Sequence, residues 1–316
     1  MVTIKEVAKH AGVGTTTVSR VLNNSPLVSE ETKNKIMKIM NELDYQPNTL
    51  ARGLAGSSSF TIGLIMDNTL DKAYANPFIY ETFRGIEKSV YEGGYNLLLL
   101  GKNTIQNNKL AVINVIEHKL VDGLILSPEI IDSNYYKIKD YKLPLVSTGS
   151  LKNDILNISS VDIDNISAGY CATEYLYQRG YRKIGFLGID FSKNFARDRY
   201  TGYIQFLKSK NLEPIKETEI YNKSDSIICL DNIFAYKALQ RCKELNKNIP
   251  DEIGIITFDN YPLAEYLEPT VTNVEIDLYQ LGVRAGEEII RKVKNGENDS
   301  KYIKIPPFIN IRSSTK

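Results

Sequence analysis

The stretch from residue 3 to residue 56 constrains the fold of this chain most strongly, because its local signals agree with one another. Thr3 and Glu6 form a T-x-x-E capping box, which predicts the start of a first helix. A short glycine-containing turn follows, and a second helix is expected from Thr15. Ser29, with two glutamates behind it, predicts the start of a third helix. Two helices joined by such a turn indicate a helix-turn-helix.

The second helix of a helix-turn-helix enters the major groove with its N-terminal residues at the base edges. Here those residues are Thr15, Thr16 and Thr17, and Arg20 lies one turn further on. Threonine suits base edges and thymine methyl groups, and arginine can pair with guanine through two hydrogen bonds. The pattern therefore favours DNA binding. The alternative is a polar three-helix unit that merely carries such residues on its solvent face.

A final short helical segment, residues 49–55, follows the potential capping residue Asn48. Seven residues cannot hold a helix alone in water, and Gly53 costs about another 1 kcal/mol relative to alanine. Leu50 and Leu54 lie on one face of this segment, and no core segment nearby covers them. We therefore expect it to become ordered only when a partner holds it.

Four motifs of this stretch resemble the headpiece of the lactose-repressor/galactose-repressor family of bacterial transcription regulators: V-A-K-x-A-G-V, T-V-S-R-V-L-N, V-S-x-E-T and Y-x-P-N-x-x-A-R-x-L. The resemblance implies that residues 48–59 are a hinge helix and linker. Two hinge copies would pair in the minor groove at the operator centre, where Leu54 would wedge into the central base step. The DNA contacts implied are Thr3, Lys5, Thr15, Thr16, Thr17, Ser19, Arg20, Asn23, Asn48, Ala51 and Leu54.

The headpiece departs from the family pattern at two glycines. Gly14 stands where a serine normally caps the recognition helix, and Gly53 stands where a less flexible residue is usual. Each glycine should lower the stability of the free headpiece by a few tenths to about 1 kcal/mol. Neither removes a DNA contact.

Length and charge indicate several domains and a mildly basic headpiece. The 316 residues, 42% of them hydrophobic, allow two or three domains with packed cores. Residues 1–56 contain seven lysines and arginines and five acidic residues, a net charge of +2, so the rest of the chain carries −1 of the total of +1. This balance favours a homodimer with specific phosphate contacts over binding driven by charge alone.

The cysteines predict a reduced cytoplasmic protein. Cys171, Cys229 and Cys242 are odd in number, lie far apart and lack the spacing of metal ligands, so they are interpreted as small core residues. No secretory signal is present, and the longest apolar runs are strand-sized, which excludes a membrane span. No metal or other cofactor is expected.

From Phe60 onward, strand-sized apolar runs alternate with amphipathic helices, which predicts parallel sheets covered on both faces. Strands are expected at 61–66, 96–100, 123–127, 144–148, 183–188, 217–221, 226–230, 254–259, 301–305 and 309–312. Helices are expected near 79–92, 107–119, 134–140, 164–179, 196–210, 232–245 and 277–294. The predicted fold is thus α/β, with a helix-turn-helix domain (1–47), the hinge (48–59) and a core of two Rossmann-like subdomains (60–316). The first subdomain would comprise about 60–159 and 277–300, and the second about 160–276 and 301–316.

Polar residues end several of the predicted strands, at the edge where open parallel sheets bind ligands. They are Asp67, Ser127, Ser147, Thr148, Asp190, Asp231 and Asp259. A cleft between two such edges would suit a small polar molecule. The alternative is that these residues are ordinary turn formers.

The core motifs N-P-F (76–78), V-D-G-L-I-L (121–126), D-x-x-x-A-G-Y (164–170), R-x-x-G-Y (199–203) and I-T-F-D-N (256–260) also resemble this family, whose core is similar to periplasmic sugar-binding proteins. The resemblance implies an effector in the inter-subdomain cleft, contacted by Asn76, Phe78, Ser127, Arg199, Asp231 and Asp259. An arginine paired with a carboxylate can hold several sugar hydroxyls. The implied effector is a sugar or sugar phosphate, with a nucleobase, a phosphoprotein or no effector as alternatives.

The core departs from the family pattern at two places. Leu230 precedes Asp231 where the family has asparagine, so one effector contact is lost. The chain from Gly202 to Asp231 is also about half the usual length. A strand at 217–221 could not return through a helix to a parallel neighbour at 226, because such a crossover needs about a dozen residues. The second subdomain is therefore predicted to be shortened and to lack one covering helix.

The function implied is a transcription regulator, most simply a repressor, that binds a palindromic operator as a homodimer and responds to an effector. A free sugar-binding protein, of transport or of the cytosol, is the alternative from another class, and the headpiece counts against it. An enzyme is not expected. The chain has only two histidines, His10 and His118, and contains no nucleophile elbow, P-loop, dinucleotide fingerprint or metal-spaced cluster.

Overall fold

The capping box predicted for the first helix forms in the computed structural model of the protein. The Thr3 hydroxyl accepts a hydrogen bond from the Glu6 amide, and the Glu6 carboxylate accepts one from the Thr3 amide at 2.7 Å. The helix ends at Gly12, whose φ of 68° is a left-handed conformation that glycine adopts without strain. Both ends of this helix are therefore set by its own sequence.

The structure describes residues 2–22, 25–45, 58–66, 77–102, 105–106, 109–131, 138–151, 158–260, 266–297 and 299–316. The chain separates into two units, Met1–Phe60 and Thr61–Lys316. The described helices of the first unit are α1 (Ile4–Ala11), α2 (Thr15–Leu22) and α3 (Glu30–Glu42). Their shared core contains Val7, Ala8, Ala11, Val18, Val21, Ile36 and Met40. The predicted helix-turn-helix unit is confirmed.

The second unit alternates strands and helices. Its described strands are β1 (Thr61–Met66), β2 (Asn96–Gly101), β3 (Ile105–Gln106), β4 (Lys109–Leu110), β5 (Gly123–Leu126), β6 (Leu145–Ser147), β7 (Ile158–Ile163), β8 (Ile184–Leu187), β9 (Ser226–Cys229), β10 (Gly254–Phe258), β11 (Thr272–Glu275), β12 (Tyr302–Ile305) and β13 (Phe308–Asn310). Its described α-helices are α4 (Pro77–Glu92), α5 (Ala111–Glu117), α6 (Asn165–Gln178), α7 (Asn194–Ser209), α8 (Ile220–Lys223), α9 (Asn232–Glu244) and α10 (Leu278–Asn295). Its described 3₁₀ turns lie at Lys139–Tyr141 and Glu217–Glu219.

The first sheet has six parallel strands in the order β12-β7-β6-β5-β1-β2. Successive residues of a strand point to opposite faces. Ile62 and Leu64 accordingly pack in the cluster that contains residues of α4 and α10, whereas Ile65 packs in the cluster that contains residues of α5. Both faces of the sheet are covered, which explains why its strands are almost continuously apolar.

The second sheet has five strands in the order β13-β11-β10-β9-β8, and only its edge strand β13 is antiparallel to its neighbour. Buried residues of α6 and α7 pack in one cluster with this sheet, and buried residues of α9 pack in another. The predicted α/β class with two parallel-sheet subdomains is confirmed. None of the described helices has the length and hydropathy that a membrane crossing requires.

The division of the chain between the two sheets differs from the prediction. Strand β12 was assigned to the second subdomain, but it pairs with β7 in the first sheet. Strand β7 itself extends past the predicted boundary at residue 159. The reason is that α10 packs against the first sheet, so the crossover it makes delivers the following strand to that sheet. After β12, the chain returns to the second sheet with its last described strand, β13.

The prediction of a strand at 217–221 is wrong. Those residues begin a 3₁₀ turn that leads into the four-residue helix α8, and only Ile215 forms a single parallel bridge with Gly185 of β8. Too few residues separate α7 from β9 for both a strand and a returning helix. The helix of this segment is the four-residue α8, and the absence of one covering helix relative to the family stays a prediction. The helix predicted near 134–140 lies largely outside the described residues.

Helices α6 and α7 approach each other closely at two glycines. A Cβ atom on Gly169 would lie 1.8 Å from the Arg199 carbonyl oxygen, and one on Gly202 would lie 1.9 Å from the Ile166 carbonyl oxygen. No side chain fits at either position. This contact of backbones sets where α7, and with it Arg199, lies relative to α6.

We predict that Gly202→Ala lowers the free energy of unfolding by about 1–3 kcal/mol, because the added methyl group forces the two helices apart. Urea denaturation of the full chain measures this. Lys208→Ala, an exposed position on the same helix, should change it by less than about 0.5 kcal/mol. Equal free energies of unfolding for the two variants would mean that α6 and α7 can separate without a loss of stability.

Candidate DNA interface and effector cleft

The second helix of the headpiece presents a polar face. Thr15, Thr16 and Arg20 are exposed, while Val18 and Val21 on the opposite side are buried in the core of the unit. The apolar side holds the helix in place, and the polar side is left available for another molecule. This division is what a recognition helix requires.

The other predicted DNA contacts fall into three groups. Lys5 is exposed, and Thr17 and Ser19 are half-buried. The hydroxyl and amide of Thr3 both bond to the Glu6 carboxylate. Asn23, Asn48, Ala51 and Leu54 lie outside the described residues, as does the hinge segment up to residue 57.

The side chain of Arg199 is the centre of the predicted effector site. It is buried, and it projects from α7 at the carboxyl edge of the second sheet. Its Nε donates to Asn165 Oδ1 at 3.0 Å, and its Nη1 donates to the Leu230 carbonyl oxygen at 2.9 Å. Its Nη2 lies 3.7 Å from Asp259 Oδ1. That separation is too long for a hydrogen bond and leaves both atoms able to bind a ligand hydroxyl.

Two aromatic rings lie beside the guanidinium. The Arg199 Cζ atom is 4.4 Å from the ring centre of Phe258 and 5.1 Å from that of Phe195. Contacts of this kind attract a cation to the ring. They compensate part of the cost of burying the arginine charge, together with its hydrogen bonds.

The charges of this site shift one another's pKa values. Burial lowers the pKa of Arg199, and the carboxylates of Asp259, Asp162 and Asp231 oppose that shift. Burial also raises the pKa of Asp259, against the effect of the Arg199 charge. Asp259 follows β10 with a φ of 70°, a left-handed conformation that aspartate tolerates better than most residues.

The remaining predicted effector contacts are brought together only in part. Asp231 lies near Arg199, but its Oδ1 accepts from the Phe234 amide at 3.1 Å and so caps α9, the ordinary role considered as the alternative. Ser127 directly follows β5 of the first sheet, and its carbonyl oxygen accepts from the amides of Ile130 and Ile131, which begins a helical turn. Asp67 and Asn76 lie outside the described residues. Phe78 lies in α4, but its side chain is not described.

Sequence reasoning missed Asn165, Phe195 and Phe258. Phe195 precedes Arg199 by four residues, and that spacing places two side chains on one helix face, so it was accessible from the sequence. Phe258 directly precedes Asp259. The contact with Asn165 depends on how closely α6 and α7 pack, which no local pattern reveals.

One hydrogen bond joins the two subdomains beside this site. Asn194, the first residue of α7, donates to the Ser150 carbonyl oxygen at 2.9 Å. Ser150 is held in turn by the Asp162 carboxylate of β7, which accepts from its amide at 3.0 Å, and by the Tyr302 hydroxyl of β12 at 2.6 Å. The Asn194–Ser150 bridge therefore ties the start of α7 to two strands of the first sheet.

We predict that Asn194→Ala lowers the free energy of unfolding by about 1 kcal/mol and loosens the contact between the subdomains. Amide hydrogen exchange should become faster in both residues 145–151 and residues 194–200. Ser192→Ala removes only a hydrogen bond to Asp190 in the same loop, so it should speed hydrogen exchange in that loop and leave residues 145–151 unchanged. Unchanged exchange at residues 145–151 in Asn194→Ala would contradict the role of the bridge.

Each of the two units contains a match to a known family model. Residues 3–48 match the family described as "Bacterial regulatory proteins, lacI family", and residues 173–315 match the "Periplasmic binding protein-like domain". The HTH-type transcriptional repressor PurR of Photorhabdus laumondii subsp. laumondii is 30% identical over 99% of this chain and 97% of its own length. PurR of Vibrio vulnificus is 29% identical over 100% of this chain and 99% of its own length.

A solved structure with the same fold is the transcriptional regulator CelR in complex with cellobiose. The superposition covers 99% of this chain and 100% of the CelR chain, with a TM-score of 0.69 and 23% sequence identity. Among the described side chains, no group of three or more histidines, cysteines or acidic residues could hold a metal ion. The relatives are named as transcriptional repressors, which confirms the expectation that the chain is not an enzyme. The chain belongs to the lacI family of bacterial regulatory proteins, a family of DNA-binding transcription regulators.

Proposed function

We propose that this chain is a cytoplasmic repressor that binds a palindromic operator as a homodimer and is regulated by a small effector, a sugar or sugar phosphate. The observation that supports DNA reading best is the exposed set Thr15, Thr16 and Arg20 on a helix whose other side is buried. Base edges would be read by these residues, and Lys5, Thr17, Ser19 and Asn23 would add contacts around them.

Dimerisation follows from the weakness of a single headpiece. A unit with a net charge of +2 neutralises few phosphates, so one copy alone would bind DNA weakly. Two copies on a two-fold symmetric site would combine their contacts. The hinge residues Asn48, Ala51 and Leu54 would pair with their counterparts in the minor groove, where each short segment would support the other.

The effector would bind between the subdomains, at the carboxyl edges of the two sheets. Arg199 and Asp259 would hold it by hydrogen bonds, and Asn76, Phe78, Ser127 and Asp231 would complete the site. The cellobiose complex of CelR supports this assignment, since a carbohydrate is bound by a protein of the same fold. Leu230 has a buried side chain and would contribute only its carbonyl oxygen, which already binds Arg199.

Regulation would act through the angle between the subdomains. An effector that binds one angle better than the other shifts the population toward it. The angle in turn decides whether the two hinge segments of a dimer can pair on DNA. A nucleobase or a phosphoprotein as the regulator is the alternative, and both would leave the DNA-binding role unchanged.

The test is to sequence the genomic DNA fragments that the purified protein retains, with and without candidate sugars. We expect enrichment of a palindrome. Arg20→Ala should weaken binding to that palindrome by about 1–3 kcal/mol through the loss of one base contact. Leu54→Ala should weaken it by a few kcal/mol if the wedge forms.

Arg241→Ala is the matched control, because it removes an exposed arginine from α9 of the core unit and should leave operator affinity unchanged. Absence of enrichment under every condition, with the protein folded and dimeric, would refute the proposal. Equal affinity of Leu54→Ala and the wild type would refute the hinge model alone.

A further inference from the structure

We propose that the second subdomain has a further ligand site outside the cleft, which binds a small organic cation such as a protonated amine with an apolar body. The site is a pocket of about 320 Å³ between α6 and β13. Small-molecule sites have volumes of roughly 300–1,000 Å³, so a small ligand fits here. The described residues that line the pocket are all distinct from the proposed effector contacts: Cys171, Glu174, Tyr175, Gln178, Val274, Pro307, Phe308 and Ile309.

One wall of the pocket is a single face of α6. Its four lining residues, from Cys171 to Gln178, recur at the spacings of three and four positions that bring side chains together on a helix. Tyr175 is held in place, because its hydroxyl shares a hydrogen bond of 2.7 Å with Thr315 Oγ1. The wall is therefore formed by the packing and hydrogen bonding of the fold itself.

The floor of the pocket is apolar. Ile309 of β13 pairs with Val274 of β11, and both side chains pack in the core cluster that contains residues of α6. Pro307 and Phe308 complete the lining toward solvent, where Phe308 is 49% exposed. The apolar body of a ligand would cover this ring and bury surface that now faces water.

The Glu174 carboxylate provides the charge that selects a cation. It is half-buried, and within the described parts of the chain it forms no hydrogen bond and no ion pair. Burial raises the pKa of the neighbouring Cys171 thiol, and the Glu174 charge raises it further, so the thiol stays neutral. The carboxylate is thus the anionic group of the described lining. An ammonium group would donate a charge-assisted hydrogen bond to it.

A cationic side chain near this wall does not reverse the preference. The Arg179 Cζ atom lies 5.1 Å from the ring centre of Tyr175, but Arg179 is exposed and does not line the pocket. Solvent and salt screen an exposed charge more strongly than a partly buried one. The half-buried carboxylate of Glu174 therefore determines the sign of the charge that the pocket accepts.

The pocket adjoins a connection between the two subdomains. Strand β12 of the first sheet ends at Ile305, and β13 of the second sheet begins at Phe308. Pro306 and Pro307 are therefore the whole connection. A ligand packed on Pro307 and Phe308 would hold the start of β13 in place, so amide hydrogen exchange of residues 308–311 should become slower when the site is occupied.

The cysteines provide a direct test of occupancy. Cys229 and Cys242 are fully buried, whereas Cys171 is partly exposed and lines the pocket. Iodoacetamide should therefore alkylate Cys171 alone in the native full-length chain, and peptide mass spectrometry identifies the modified residue. A ligand in the pocket should slow this reaction.

Three probes share a phenyl ring and differ in charge: phenethylamine is a cation, phenylethanol is neutral and phenylpropionate is an anion. We expect the amine to protect Cys171 in a saturable way, with a dissociation constant on the order of 1 mM. The alcohol should bind about tenfold more weakly, because its hydrogen bond to the carboxylate lacks the positive charge. The anion should give no protection.

Glu174→Gln should remove the difference between the amine and the alcohol. Glu213→Gln is the matched control, because it removes the same charge from an exposed position that follows α7 and does not line the pocket. This control should keep the preference for the amine. Calorimetric titration of the wild-type chain with the three probes decides the question if Cys171 reacts too slowly or if Glu174→Gln does not fold.

Four results would overturn the proposal. They are equal binding of the amine and the alcohol by the wild type, an unchanged preference for the amine in Glu174→Gln, protection of Cys171 by phenylpropionate, and no binding of the amine up to about 10 mM by either method. Preferential binding of the amine that depends on Glu174 and slows exchange at residues 308–311 would establish the site.

Discussion

The buried charge of Arg199 is the constraint on which the second subdomain's ligand edge depends. An unpaired charge in the interior costs several kcal/mol, so its hydrogen-bond partners must all be in place. Its hydrogen-bond acceptors are Asn165 at the start of α6 and the Leu230 carbonyl oxygen after β9, and its ion-pair partner is Asp259 after β10. The ends of two strands and one helix are thereby held around one side chain. The structural requirement of Arg199 thus fixes the same side chain that is proposed to contact the effector.

The short segment between α7 and β9 covers an exposed edge of the second sheet. Strand β8 is the edge strand of the second sheet, and an unpaired edge invites pairing with other chains. The segment covers that edge with one bridge from Ile215 and with the Glu217 carboxylate, which accepts from the Gly188 amide at 2.9 Å.

Local sequence predicted those features whose causes are local. The capping box at Thr3, the alternation of apolar strands with helices, and the pair of Arg199 and Asp259 all follow from residues close together in the chain or from the family motif. The placement of β12 and the failure of the predicted strand at 217–221 have non-local causes. Which sheet a strand joins depends on where the preceding helix packs. Whether a segment can be a strand depends on how much chain remains to connect it.

Helix α7 carries both Arg199, the proposed effector contact, and Asn194, which forms the bridge to the other subdomain, so binding of the proposed effector would be linked to the angle between the subdomains. Asn194 and Arg199 are five residues apart on one rigid helix, whose position is fixed by the close contact at Gly202. Helices packed this tightly move as units, because a close-packed interface has few intermediate arrangements. A ligand that drew Arg199 toward Asp259 would therefore act on the Asn194–Ser150 bridge as well. The proposed coupling needs no long pathway, since one helix would form both contacts.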